Sequence, residues 1–101
     1  MDFSWKSIIR PSAYLDIEEA ADYYFAIEPK LARRFIISFH KTVEKILVNP
    51  LGYEIKFSGK IRTVLVKNFP YKIYFVVMDE TVVILAVLHA KSLREKRFLD
   101  L

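Results

Sequence analysis

The stretch from Gly59 to His89 limits most tightly how this chain can fold. It holds three runs of seven to nine residues rich in Val, Ile, Leu, Tyr and Phe: Gly59 to Lys67, Lys72 to Met78, and Thr81 to His89. Asn68-Phe69-Pro70-Tyr71 and Asp79-Glu80 separate them. Runs of this composition bounded by turn residues read as strands, and connections this short join antiparallel neighbours. A three-stranded meander is therefore expected, with the rest of the chain packed on it or extending it.

Upstream, Phe3 to Ile9 reads as a first strand, with Phe3, Trp5 and Ile9 on one face. Pro11 opens a helix, because a missing N–H costs nothing at the first helical position. Ala13, Ile17, Ala20 or Ala21, Tyr24 and Ile27 recur at helical spacing, while Asp16, Glu18, Glu19 and Asp22 lie toward its N-terminal end or on its outer face. Glu28-Pro29 breaks that helix and starts a second, marked by Leu31, Phe35, Phe39, Thr42 or Val43, and Ile46. Asn49-Pro50-Leu51-Gly52 stops it, and Tyr53 to Phe57 follows as a short strand turned by Ser58-Gly59 into the meander. The expected fold class is α+β: an N-terminal strand and a two-helix hairpin packed on an antiparallel sheet, in the order β-α-α-β-β-β-β.

Two-residue loops at Asp79-Glu80 and Phe69-Pro70 would set Met78 opposite Thr81, Tyr74 opposite Leu85, Lys72 opposite Val87, and Lys67 opposite Lys72. One face then carries Val64, Val66, Ile73, Phe75, Val77, Val82, Ile84, Ala86 and Leu88, with Arg62 its only charge, and is the face for the helices. The other carries Thr63, Lys67, Lys72, Tyr74 and His89 among Leu65, Val76, Val83, Leu85 and Val87, an open surface with cations at one end. A slip of one residue in either loop exchanges the faces.

One hundred and one residues suit one domain, residues 1–101, and an apolar share of 53% with only two glycines suits a folded chain. Cysteine is absent, which removes disulfides and thiolate chemistry. No apolar run reaches the roughly eighteen residues of a membrane span, and Met1 to Lys6 lacks the pattern of a signal peptide, so a cytoplasmic protein without membrane contact is expected. The net charge of +4 sits in the second half, where residues 53–101 carry nine basic and five acidic groups against seven of each in residues 1–52. A surplus of that kind suits a nucleic acid or an acidic protein partner, or simply a solvated face.

His40 and His89 have no ligand partners at metal spacing, so neither a metal nor a cofactor is expected. Lys67, Lys72 and His89, with Tyr74 nearby, are the candidates for metal-independent phosphodiester cleavage: His89 as acid or base and the lysines as cations for phosphate. The bland alternative is that His89 caps a strand and the lysines keep the face soluble. Arg62 reads as a snorkelling or carboxylate-paired residue.

Gly59-Lys60-Ile61-Arg62, Asn68-Phe69-Pro70-Tyr71-Lys72-Ile73-Tyr74 and Val83-Ile84-Leu85-Ala86-Val87-Leu88-His89 together resemble the RelE/ParE superfamily of bacterial toxins, particularly its ParE-like branch. Pro11, Ala13, Asp16-Ile17, Ala21 and Tyr23-Tyr24 are similar to its first helix, and Asn49-Pro50 with Gly52 to its break after the second. The resemblance covers roughly residues 5–92. It implies a single toxin domain encoded beside an antitoxin that neutralises it, and a hetero-oligomer of the two. RelE-like members cut messenger RNA on the ribosome; ParE-like members inhibit DNA gyrase.

The RelE pattern implies basic residues where this chain has Thr63, Leu65 and Lys67, arginines at Lys72 and Ser92, and a tyrosine at Phe98. Lysine lacks the bidentate fork of arginine, and phenylalanine has no hydroxyl to ionise. The expectation is therefore a ParE-like, plasmid-stabilising growth inhibitor acting on gyrase, in which Arg62, Tyr74, Lys91, Arg94, Lys96 and Arg97 touch the target or an acidic antitoxin. The 91–101 tail reads as a short helix or a solvated end. The alternative is a ribosome-dependent mRNA endonuclease using Lys67, Lys72 and His89, and a third reading is a binding module that has lost toxicity.

Overall fold

A computed structural model describes residues 4–99. The chain runs β1 (Lys6–Ile9), α1 (Pro11–Ile27), α2 (Pro29–Val48), a 3-10 turn (Pro50–Gly52), β2 (Ile55–Phe57), β3 (Ile61–Leu65), β4 (Tyr71–Met78), β5 (Thr81–His89), and a C-terminal 3-10 strap (Leu93–Phe98). The architecture is the expected α+β one, in a single sheet of order β1-β5-β4-β3-β2. That sheet is mixed: β1 enters parallel to β5, and every other pair is antiparallel. A parallel partner needs a long crossover, and the two helices with three intervening strands supply one. Phe3, expected in β1, lies outside the described residues.

The local signals explain the helix ends. Pro11 and Pro29 each stand at a helix start. One extended residue, Glu28, makes the reversal: its N–H donates to the Tyr24 carbonyl at 2.9 Å, and its own carbonyl accepts from Leu31 N–H at 2.9 Å. At the Ser58-Gly59 turn both residues have positive φ, 52° and 67°, and Lys60 N–H closes it on the Phe57 carbonyl at 3.1 Å. That backbone matches the right-handed twist of the strands it joins, and glycine adopts it freely.

Two registers differ from expectation. The β3–β4 loop is longer than two residues: Val66 N–H bonds the Tyr71 carbonyl at 2.8 Å, Asn68 takes φ 69°, and Leu65 rather than Lys67 faces Lys72. Pro70 has no N–H to give a ladder, so pairing cannot continue into the loop. This shift of two residues leaves the β3 faces as expected. In β5 a bulge intervenes: Met78 faces Thr81 as expected, but Phe75 pairs with Ile84 and Tyr74 with Ala86, so that Leu85 is the extra residue. The bulge shifts the later residues by one, so Val87 joins the helix side while Ala86 and Leu88 turn to the other.

The helix-side core holds Ala13, Ile17, Ala20, Phe35, Phe39, Val43 and Ile46 against Val66, Ile73, Phe75, Val82, Ile84 and Val87. Each of its large side chains contributes roughly 1.5–3 kcal/mol by leaving water. Tyr24, Phe35, Phe69 and Tyr71 form an aromatic cluster at one end, with ring centroids 5.1 to 6.1 Å apart. The opposite face, expected to be open, carries a second core of Ile61, Tyr74, Val76, Val83, Ala86 and Leu88 closed by Phe98 of the strap.

Candidate functional site

Beyond Ile84 the edge of β5 loses its strand partner, because β1 pairs only from Thr81 to Ile84. The start of α1 takes over. Arg10 N–H donates to the Ile84 carbonyl at 3.0 Å, the Ser12 hydroxyl to the Leu85 carbonyl at 3.3 Å, and Val87 N–H to Asp16 Oδ2 at 3.0 Å. The bulge thus sits where pairing with β1 ends, and α1 satisfies the backbone groups left over.

Asp16, its side chain only 10% exposed, lies within 4.0 Å of both Arg94 and Arg97 of the strap. Arg94 also grips Glu19 with both terminal nitrogens, at 3.1 and 3.3 Å. Burial holds the Asp16 carboxyl above the ordinary 3.8, against the opposing pull of the Val87 N–H and the two arginines. Between 3.8 and its folded value the native chain keeps a proton that the unfolded chain has released. The contribution of this group to stability therefore falls as pH rises through that window. Asp16→Asn keeps an acceptor for Val87 N–H and removes the titration. Denaturation midpoints measured across a pH series are expected to lose that slope in the variant.

The strap is fastened on the sheet side as well. Tyr74 hydroxyl donates to Glu95 Oε2 at 2.5 Å, Lys72 Nζ lies 3.9 Å from the same oxygen, and Ser58 hydroxyl donates to the Phe98 carbonyl at 2.6 Å. Phe98 stacks on Tyr74 at 5.2 Å, with Phe57 6.1 Å from both rings. Burial, then the bond to Glu95, push the Tyr74 hydroxyl well above the phenol range, so it stays a donor. Past Phe98 the second face remains a groove in two connected parts of about 410 and 310 Å³, sharing Arg10 and Leu85. Val76, Val77, Met78, Leu85 and Phe98 supply its apolar lining, and its charged lining groups are Arg10, Lys60 and Arg97, with no carboxylate among them.

Lys67, Lys72 and His89 are not brought together. Lys67 lies in the β3–β4 loop, its N–H 3.5 Å from Thr42 Oγ1 of α2. Lys72 pairs with Leu88 and points toward Glu95 on the strap side. His89 pairs with Tyr71 on the helix side; the two rings are 5.4 Å apart, and His89 Nδ1 accepts from Lys91 N–H at 3.1 Å. It lines a small cavity of about 110 Å³ with Asp16, Glu19, Ser92 and Arg94. The bulge separates His89 from Lys72 by moving it onto the opposite face, and the longer β3–β4 loop takes Lys67 out of the ladder.

Of the expected contact residues, Tyr74 is 1% exposed, and Arg62 is half-buried with Nη1 donating to the Tyr53 carbonyl at 2.9 Å. Both serve the interior. Lys91, Arg94, Lys96 and Arg97 are exposed. Sequence reasoning passed over Arg10, Asp16, Glu19, Lys60 and Glu95 as site residues. The available signal was Phe98, a large aromatic directly after the charged run Arg94-Glu95-Lys96-Arg97. Among the described residues no group of three or more His, Asp or Glu is placed to hold a metal, and no helix is long and apolar enough to cross a membrane.

A helical hairpin on a mixed sheet, with a basic groove beside a fastened strap, defines a small α+β domain. The same fold occurs in a solved structure described as the chromosomal ParDE TA system from P. aeruginosa, with a TM-score of 0.76 at 18% identity, covering 87% of this chain and 98% of that one. Residues 8–94 match the family described as ParE toxin of type II toxin-antitoxin system, parDE, and the chain belongs to that family. No curated protein sequence matches it.

Proposed function

We propose that this protein is a growth inhibitor acting on DNA gyrase in the cytoplasm, without chemistry of its own, and that a cognate acidic antitoxin neutralises it in a hetero-oligomer. Membership of the ParE toxin family supports the toxin role. The observation that carries inhibition over cleavage of ribosome-bound messenger RNA is the placement of Lys72 and His89 on opposite faces of the sheet. Metal-free phosphodiester cleavage needs base, acid and cations within hydrogen-bond reach of one phosphate.

The groove supports neutralisation. An apolar floor with Arg10 and Lys60 along it suits a segment that folds on binding and carries acids beside its apolar residues. Lys91 and Lys96, exposed on the strap side, suit an acidic patch on the target, whereas Arg94 and Arg97 already face Glu19 and Asp16.

A gyrase supercoiling assay tests the reading. Added protein is expected to abolish ATP-dependent supercoiling, and undiminished supercoiling at toxin excess removes gyrase as the target. Primer extension on a defined mRNA in cell-free translation is the companion measurement. New ribosome-dependent ends there would replace the inhibitor with the nuclease.

A further inference from the structure

Charge is sorted between the two helices of the hairpin. α1 carries four carboxylates, Asp16, Glu18, Glu19 and Asp22, and no lysine or arginine; α2 carries five cations against one acid, Glu44. Adjacent helices of opposite sign commonly cross-link. Here, among the described residues, the ion pairs of α1 run to the strap and none runs to α2. The exposed faces are also partly apolar: Leu15 is 66% exposed and Phe25 60% on α1, and Ile37 is 47% exposed on α2. Leu15 and Phe25 fall on the side of α1 away from the buried Ala13, Ile17 and Ala20, so this helix is apolar on two sides, the pattern of a helix covered twice.

We infer that a second copy of this chain covers the helical face, with α1 of each copy lying on α2 of the other. A two-fold axis running along the helices between the two layers achieves this in one operation. The rotation that puts acidic α1 beneath basic α2 also puts α2 beneath α1. In the hairpin, with its one-residue reversal at Glu28, that symmetry brings Asp22 of one copy level with Arg34 of the other, and Glu18 between Arg34 and Lys41. Ile37 falls at the middle of the contact and Leu15 about one helical turn from it, and both leave water.

Helices of 17 and 20 residues are about 25 and 30 Å long at 1.5 Å per residue, so the four-helix layer would bury roughly 1,200 Å² in total, the lower bound of a specific interface. With a net charge of +4 on each copy, contacts without matched charges are opposed, which favours this arrangement over other self-contacts. An acidic segment of another protein is the rival occupant of α2. The second copy is preferred because its own α1 presents carboxylates and apolar side chains together, and α2 in turn covers that helix. The surface is separate from the groove, and Glu18, Asp22, Arg34 and Lys41 take no part in the ion pairs to the strap, so it stands or falls independently of the gyrase reading.

Sedimentation equilibrium on the purified chain tests it, with two double variants made at exposed positions: Glu18→Lys with Asp22→Lys, and Arg34→Glu with Lys41→Glu. Circular dichroism checks that each is folded. The unmodified chain is expected to dimerise with a Kd on the order of 10 µM, and to dissociate at about 1 M salt, where charges are screened beyond about 3 Å. Each variant alone is expected to be monomeric, and an equimolar mixture to recover a mixed dimer, because both contacts are then matched again. An unmodified chain that stays monomeric at about 300 µM, some thirtyfold above that Kd, overturns the proposal and leaves the face to another occupant. A dimer indifferent to both swaps, or a mixture that stays monomeric, overturns it equally.

Discussion

Phe35→Ala is expected to remove about 4 kcal/mol of folding stability, within the range for deleting a buried ring. Phe35 is fully buried and sits at the join of three elements, its ring 5.6 Å from Tyr24 of α1, 5.4 Å from Phe69 of the β3–β4 loop and 5.2 Å from Tyr71 of β4. Alanine leaves a cavity that none of these rings can fill without breaking its contacts with the others. A small domain has only about 5–15 kcal/mol in total, so the variant is expected to be partly unfolded at body temperature. Urea denaturation measures the loss directly. Phe35→Leu, which keeps most of the volume, is expected to lose less than half as much, and equal losses in the two variants would contradict a packing origin.

Phe98→Ala should cost about 3 kcal/mol, at the low end for a buried ring because the site lies in an outer layer. The consequence is more local than for Phe35. The strap would keep its polar fastenings, Glu95 on Tyr74 and Ser58 on the Phe98 carbonyl, but lose the ring that covers Tyr74 and Phe57. Limited trypsin digestion is therefore expected to cut after Arg94, Lys96 and Arg97 well before the rest of the chain, while unmodified protein resists there. Simultaneous cleavage throughout both proteins would mean that the ring does not hold the strap.

Legibility in the sequence followed the range of the interaction. Pro11, Pro29 and Asn49-Pro50 act on their own neighbours, so both helices could be placed to the residue or nearly so. Asp79-Glu80 likewise turned as expected, with Met78 facing Thr81. The β3–β4 connection is longer than two residues because Pro70 has no N–H for the ladder and Asn68 already turns the chain at φ 69°, yet the shift of two residues preserves the faces. The bulge at Leu85 had no local mark at all. Its backbone groups are satisfied by Ser12 and Asp16, which lie 73 and 71 residues away along the chain, and alternation by itself assigns Val87 and His89 to the wrong side. The candidate cluster of Lys67, Lys72 and His89 dissolved because the bulge moved His89 and the longer loop moved Lys67. The strap was invisible to periodicity, since Phe98 is a single aromatic after a charged run and its partner Tyr74 lies far back in the chain.

The position of β5 bears on timing during synthesis. The last strand to emerge lies between β1 and β4, so the first and fourth strands have no common neighbour until residues 81–89 are made. Contacts between the two ends of a chain form late and slowly, because the loop they close must be ordered first. A chain halted between Met78 and Thr81 has two helices, an unpaired β1 and a meander without its last strand. Such a fragment lacks Val82, Ile84 and Val87 of one core and Val83, Ala86 and Leu88 of the other, so synthesis through His89 is a precondition for completing both.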